Sequence, residues 1–87
     1  MEKVIRVIPH PNYTLELWFD TGDHRLFDVT AYLNRGVFQR LQDVSLFLKA
    51  RVALGTVVWP GEIDLAPETL YDLSVPIDAP SGQRVSA

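Results

Sequence analysis

A chain of 87 residues, 47% apolar and 22% charged, has the make-up of one soluble globular domain and argues against disorder throughout. It has no cysteine, which removes disulfide frameworks, thiolate metal sites and cysteine nucleophiles together. Net charge is −3, with seven of the eight basic residues between Lys3 and Arg51 and only acidic groups from Val52 to Asp78, a distribution that disfavours nucleic-acid binding by this chain alone.

Three strands are expected first. Lys3–Ile8 alternates Val4, Arg6 and Ile8 against Lys3, Ile5 and Val7, and Pro9 and Pro11 are expected to stop it. Tyr13–Phe19 sets Tyr13, Leu15, Leu17 and Phe19 on one face and Thr14, Glu16 and Trp18 on the other. Phe19-Asp20-Thr21-Gly22 suits a type I turn with Gly22 left-handed, so Asp23–Val29 returns antiparallel through a three-residue bulged connection. That register puts Phe27 on the core face; a two-residue loop would put Leu26 there instead.

The middle reads as short helical pieces. Asp28 or Thr30 can cap a turn through Leu33, which Gly36 can end. Val37, Phe38 and Leu41 are expected to share a face in the next turn. Asp43 is expected to cap Val44–Ala50, with Leu46, Phe47 and Ala50 as its apolar stripe and Lys49 complementing the helix dipole. A second hairpin follows, Arg51–Leu54 and Thr56–Trp59 about Gly55, broken by Pro60-Gly61. Ile63 and Leu65 form a short extended piece, and Pro67 opens a last helical turn with Glu68 near its N-terminus. The order is β-β-β-α-β-β-α: an α+β fold with a small antiparallel sheet of about five short strands and helices packed on it. Residues 1–72 are expected to form the domain and residues 73–87 a loose tail.

A chain this short buries roughly 60–65% of its unfolded surface, so stability is modest and a dimer or a partner would add to it. The strand-like N-terminal run lacks the pattern of a signal peptide, and no apolar stretch nears the roughly 20 residues of a membrane span; a cytoplasmic protein is expected.

His10 and His24 are the two histidines. A site using both with Asp23 or Asp28 is conceivable, and so is a small enzyme around His24, Asp23 and Asp28, but two ordinary surface or edge histidines is the preferred reading. The carboxylate pairs Asp20/Asp23, Glu62/Asp64 and Glu68/Asp72 lie near turns or a helix start, where turn formation and solubility account for them. None of Ser45, Ser74, Ser81 and Ser86 sits in a nucleophile elbow, and there is no phosphate-binding glycine loop. No residue is assigned a catalytic, cofactor-binding or metal-ligating role. Trp18 stands out on the face opposite Leu15 and Leu17. With Val4, Ile8 and Leu26 it either makes an apolar interface patch or is covered by the short helices. Trp59, ending an apolar run before a proline, reads as core.

Taken in order, Leu15-Glu16-Leu17-Trp18-Phe19-Asp20-Thr21-Gly22, Phe27-Asp28-Val29 and Gly36-Val37-Phe38-Gln39-Arg40-Leu41 resemble successive blocks of the domain of unknown function 2442 family. Asp43-Val44-Ser45-Leu46-Phe47, Val57-Val58-Trp59-Pro60, Ile63-Asp64-Leu65 and Pro67-Glu68-Thr69-Leu70-Tyr71 continue the series, so the resemblance spans about residues 3 to 72. It implies a small bacterial α+β protein with no established activity. Some members of that family carry a helix-turn-helix, and many are encoded beside small toxin-like proteins, which implies an antitoxin or regulatory role. Two departures stand out. Little chain follows Tyr71, too little for a helix-turn-helix, and Ala66 replaces the polar cap before the last helix.

The favoured expectation is a non-enzymatic interaction module, antitoxin-like, that binds a small basic protein through Trp18, Glu62, Asp64, Glu68 and Asp72. The alternative is an accessory regulatory or nucleic-acid-associated domain acting as a dimer, with Arg35, Arg40, Lys49 and Arg51 on phosphates.

Overall fold

The computed structural model describes residues 2–77. Strand β1 (Val4–His10), β2 (Thr14–Phe19) and β3 (His24–Asp28) form an antiparallel meander. Short helical turns cross from it: a 3₁₀ turn at Thr30–Tyr32, another at Gly36–Gln42, and α1 (Val44–Phe47). Next come β4 (Arg51–Ala53), β5 (Thr56–Trp59), β6 (Ile63–Leu65), α2 (Pro67–Asp72) and a two-residue strand β7 (Val75–Pro76).

The α+β class holds, but the single sheet does not. The strands divide into a four-stranded sheet, β1-β2-β3-β7, and a three-stranded one, β4-β5-β6. In the first sheet, β1 slips register against β2 between Val4 and Arg6. This bulge bends the strand, and β1 meets the β4–β5 turn through a hydrogen bond from the Val4 N–H to the Gly55 carbonyl (2.9 Å) without extending the ladder. Strand β1 also runs through Pro9, which pairs with Leu15; on an edge strand the missing N–H costs no ladder bond. Residues 73–77, expected in the tail, instead carry β7, which pairs with β3 through Arg25 and Leu26. The remainder of the expected tail lies outside the described residues.

The β2–β3 turn follows its sequence. Gly22 has φ +91°, its N–H reaches the Phe19 carbonyl (3.0 Å), and Leu15 faces Phe27, so Phe27 and not Leu26 enters the core. At the β4–β5 turn Leu54 and Gly55 both have positive φ, the two-residue type that matches strand twist.

One core joins both sheets: Val4, Leu15, Leu17, Phe19 and Phe27 from the first, Val57, Trp59, Ile63 and Leu65 from the second, and Leu41, Phe47 and Leu70 from the helical pieces. Trp59 is buried as expected and donates its indole N–H to the Phe47 carbonyl (2.9 Å). Asp43 caps α1 by accepting the Ser45 N–H (3.0 Å), but the helix ends at Phe47, so Lys49 lies beyond it. Val37 does not join Phe38 and Leu41. The stretch is 3₁₀, and a period of three aligns positions 38 and 41 while leaving 37 exposed. Pro67 opens α2, and Ala66 before it offers no side-chain cap.

Candidate functional site

The four-stranded sheet has one face in the core and one outside it. Pairing fixes which residues share the outer face. One row runs Arg6–Trp18–His24, the next Ile8–Glu16–Leu26–Val75, and a third His10–Thr14–Asp28. Val4, expected with Trp18, is instead in the core, because the bulge at Ile5 switches faces: Ile5 turns out to solvent and Val4 inward.

Trp18 is half-buried and lies apart from the hydrophobic core cluster. Its cover comes from its own sheet. The His24 ring stacks on it, with centroids 4.5 Å apart and planes 15° from parallel, and the Arg6 guanidinium carbon lies 4.6 Å from the indole centroid. Because β1 and β3 flank β2, cation and imidazole approach the indole from neighbouring strands. Ile8 and Leu26 are half-buried beside it and Val75 is exposed.

Glu16 sits at the centre of this face. Its Oε1 is 3.0 Å from His10 Nε2, and its Oε2 is 2.6 Å from His24 Nε2. The side chains remain partly open, at 39% exposure for His10, 32% for His24 and 23% for Glu16. Burial pushes Glu16 up, but the hydrogen bonds from His10 and His24 and the charge they can carry outweigh it and hold the carboxyl below its ordinary range. An ionised carboxylate only accepts, so both imidazoles present Nε2–H to it.

The structure therefore links the two histidines, but through Glu16. Asp23 is engaged elsewhere, accepting from the Tyr71 hydroxyl (2.7 Å) and the Thr21 hydroxyl (2.7 Å). Asp28 accepts from the Thr30 N–H (2.9 Å) and hydroxyl (2.7 Å). The grouping of His24 with Asp23 and Asp28 is not assembled. Among the described residues, no group of three or more His, Asp or Glu stands so as to hold a metal ion.

The acidic candidates lie on other elements. Glu62 is in the β5–β6 turn with φ +64°, Asp64 points outward from β6, and Glu68 and Asp72 lie in the first and last turns of α2. All four are exposed, and among the described residues the ion pairs are the two that His10 and His24 make with Glu16. The basic residues of the alternative reading are spread over separate contacts. Arg35 lies over the Tyr32 ring (5.3 Å), Arg40 packs against Gly61, and Arg51 is exposed on β4.

A family described as a protein of unknown function (DUF2442) matches residues 4–76. The chain belongs to that family. The DUF2442 match begins at the bulged start of β1 and ends in β7, so it takes in both sheets and the whole outer face. Neither the curated proteins nor the solved structures compared with the chain match it. Among the described residues no helix is long and apolar enough to cross a membrane.

Sequence reasoning missed three contributors. Arg6 and Glu16 drew no attention as strand polars; the β1–β2 and β2–β3 registers were the signal that would have set them beside Trp18 and the histidines. Arg25 was missed as well. It donates from Nε to Ser74 Oγ (2.6 Å) and from a terminal nitrogen to the Ser74 carbonyl (2.7 Å), and it lies over Tyr71 (4.6 Å), tying α2 and β7 to β3.

Proposed function

We propose that this DUF2442 chain is a non-enzymatic, cytoplasmic interaction module, antitoxin-like, whose partner is a small basic protein. The observation that carries the reading is the outer face of the four-stranded sheet: Trp18 held by Arg6 and His24 and flanked by Ile8, Leu26 and Val75, all outside the core cluster. An aromatic ring whose rotamer is already fixed loses little freedom on docking, and such residues supply a large share of interface affinity. Glu62, Asp64, Glu68 and Asp72, without lysine or arginine partners among the described residues, favour approach of a cationic protein; their effect is on encounter rate and orientation more than on affinity.

The test is co-expression with the product of the neighbouring gene and capture through a tag on this chain. The reading expects a stable complex whose association slows as salt is raised. Recovery of the chain alone from that co-expression contradicts it.

A further inference from the structure

We propose that the outer sheet face is a proton-sensitive surface, in which the Glu16-bridged histidines reverse the charge of the face and, on acidification, place a second cation beside Arg6 against Trp18. The geometry is specific. Each imidazole gives its Nε2–H to a different oxygen of one carboxylate, at 3.0 Å for His10 and 2.6 Å for His24, so Nδ1 is the open position on both rings. A second proton enters there without breaking either hydrogen bond. With both rings neutral the three side chains carry one negative charge; with both protonated they carry one positive charge. Imidazole is the side chain that ordinarily exchanges a proton between pH 5 and 8.

The remaining charged groups on this face reinforce the change or are occupied. On β1, Arg6 is permanently cationic and lies over Trp18. On β3, Asp28 is held by the Thr30 N–H and hydroxyl. Strand β7 contributes Val75 and Pro76, neither titratable, and the Ile77 N–H bonds the His24 carbonyl (2.8 Å). The second sheet and the helical pieces share the core on the opposite face.

His24 also supplies a built-in reporter. Its ring lies parallel to the Trp18 indole at 4.5 Å, within direct reach of the excited state, and an imidazolium quenches indole emission more strongly than neutral imidazole. If Trp18 is also a docking residue, which rests on the reading above, acidification makes the face more cationic and releases a basic partner.

The experiment is a fluorescence titration of the purified chain alone from pH 8 to pH 5. Emission is expected to fall as the pH is lowered across this range. The fall should vanish in Trp18→Phe, which leaves buried Trp59 as the emitter, and in His24→Gln. Trp59 reports folding in each variant through its emission maximum, and Trp18→Phe serves alone if His24→Gln does not fold. Flat wild-type emission, or an unchanged titration in Trp18→Phe or in a folded His24→Gln, overturns the proposal. The titration needs no partner, so its failure is separable from failure to capture one. With the co-expressed gene product as probe, affinity at pH 8 should exceed that at pH 5.5 by about fivefold or more; equal affinities refute the release.

Discussion

Arg25→Ala tests whether α2 and β7 belong to the folded unit through a side-chain latch. The substitution removes two hydrogen bonds from a charged donor, to Ser74 Oγ and the Ser74 carbonyl, and the guanidinium over Tyr71. Hydrogen bonds to charged groups contribute about 1.5–3 kcal/mol each, and a cation–π contact about 0.5–1 kcal/mol at exposed sites. Arg25 is only half-buried, and water replaces part of what is lost. Ser74 Oγ also keeps its bond to the Tyr71 carbonyl (2.9 Å). The expected loss is therefore about 2–3 kcal/mol, below the roughly 3.5–7 kcal/mol to which the separate contacts sum. Urea unfolding reads it: with a slope of about 1 kcal/mol/M for a chain this short, the midpoint should fall by about 2–3 M. Arg25→Lys keeps the charge but lacks the fork that reaches both acceptors, so it should recover less than half the difference. Amide exchange adds a local readout, because the Ile77 N–H, bonded to the His24 carbonyl, should exchange faster once the latch is removed. An Arg25→Ala midpoint within about 0.5 M of wild type, with Ile77 protection unchanged, would refute the latch.

The two tryptophans should separate cleanly in thermal or urea unfolding. Trp59→Ala removes a buried ring and its bond to the Phe47 carbonyl and should cost about 3–5 kcal/mol, whereas Trp18→Ala, outside the core, should cost less than about 1.5 kcal/mol. At Gly61, φ is +91° and an added Cβ would stand 2.7 Å from both terminal nitrogens of Arg40, so Gly61→Ala should lose about 1–3 kcal/mol. Arg40→Ala in the same chain should recover little of this loss, because the guanidinium is the free end of a flexible side chain that moves aside while the backbone strain stays; the urea midpoint reads the comparison. For pH, the Asp43 carboxyl is held below its ordinary range by the Ser45 hydroxyl and N–H, as Glu16 is by the two histidines once burial is outweighed. Carboxylates depressed in the fold contribute stability that is present above their unfolded values, 3.8 for Asp43 and 4.5 for Glu16, and lost as pH falls through the folded ones. Unfolding midpoints should therefore drop on going from pH 7 to pH 3, and Asp43→Asn should lower the pH 7 midpoint while flattening that drop.

Local chemistry made part of this molecule legible. The Gly22 turn needed a left-handed residue at one position, and that requirement set the β2–β3 register and placed Phe27. Asp43 as a cap, Pro67 at a helix start and Trp59 in the core followed from equally local rules. What escaped depended on distance in sequence or on irregularity. The bulge at Ile5 leaves no mark in an alternating run, yet it moves Val4 to the core, and nothing local in the sequence marks the division of the strands into two sheets. Arg25 and Ser74 are 49 residues apart, and the sequence has nothing that pairs them. Glu16 acquires its role only when three strands align so that both its oxygens are met.

The whole functional reading turns on Trp18 as the docking anchor. Calorimetric titration of the wild-type and Trp18→Ala chains with the co-expressed basic protein measures this directly. Loss of a fixed aromatic anchor should weaken binding by about 2 kcal/mol, roughly 30-fold, with the folded state of the variant intact. Binding by a folded Trp18→Ala chain within about twofold of wild type would contradict the account.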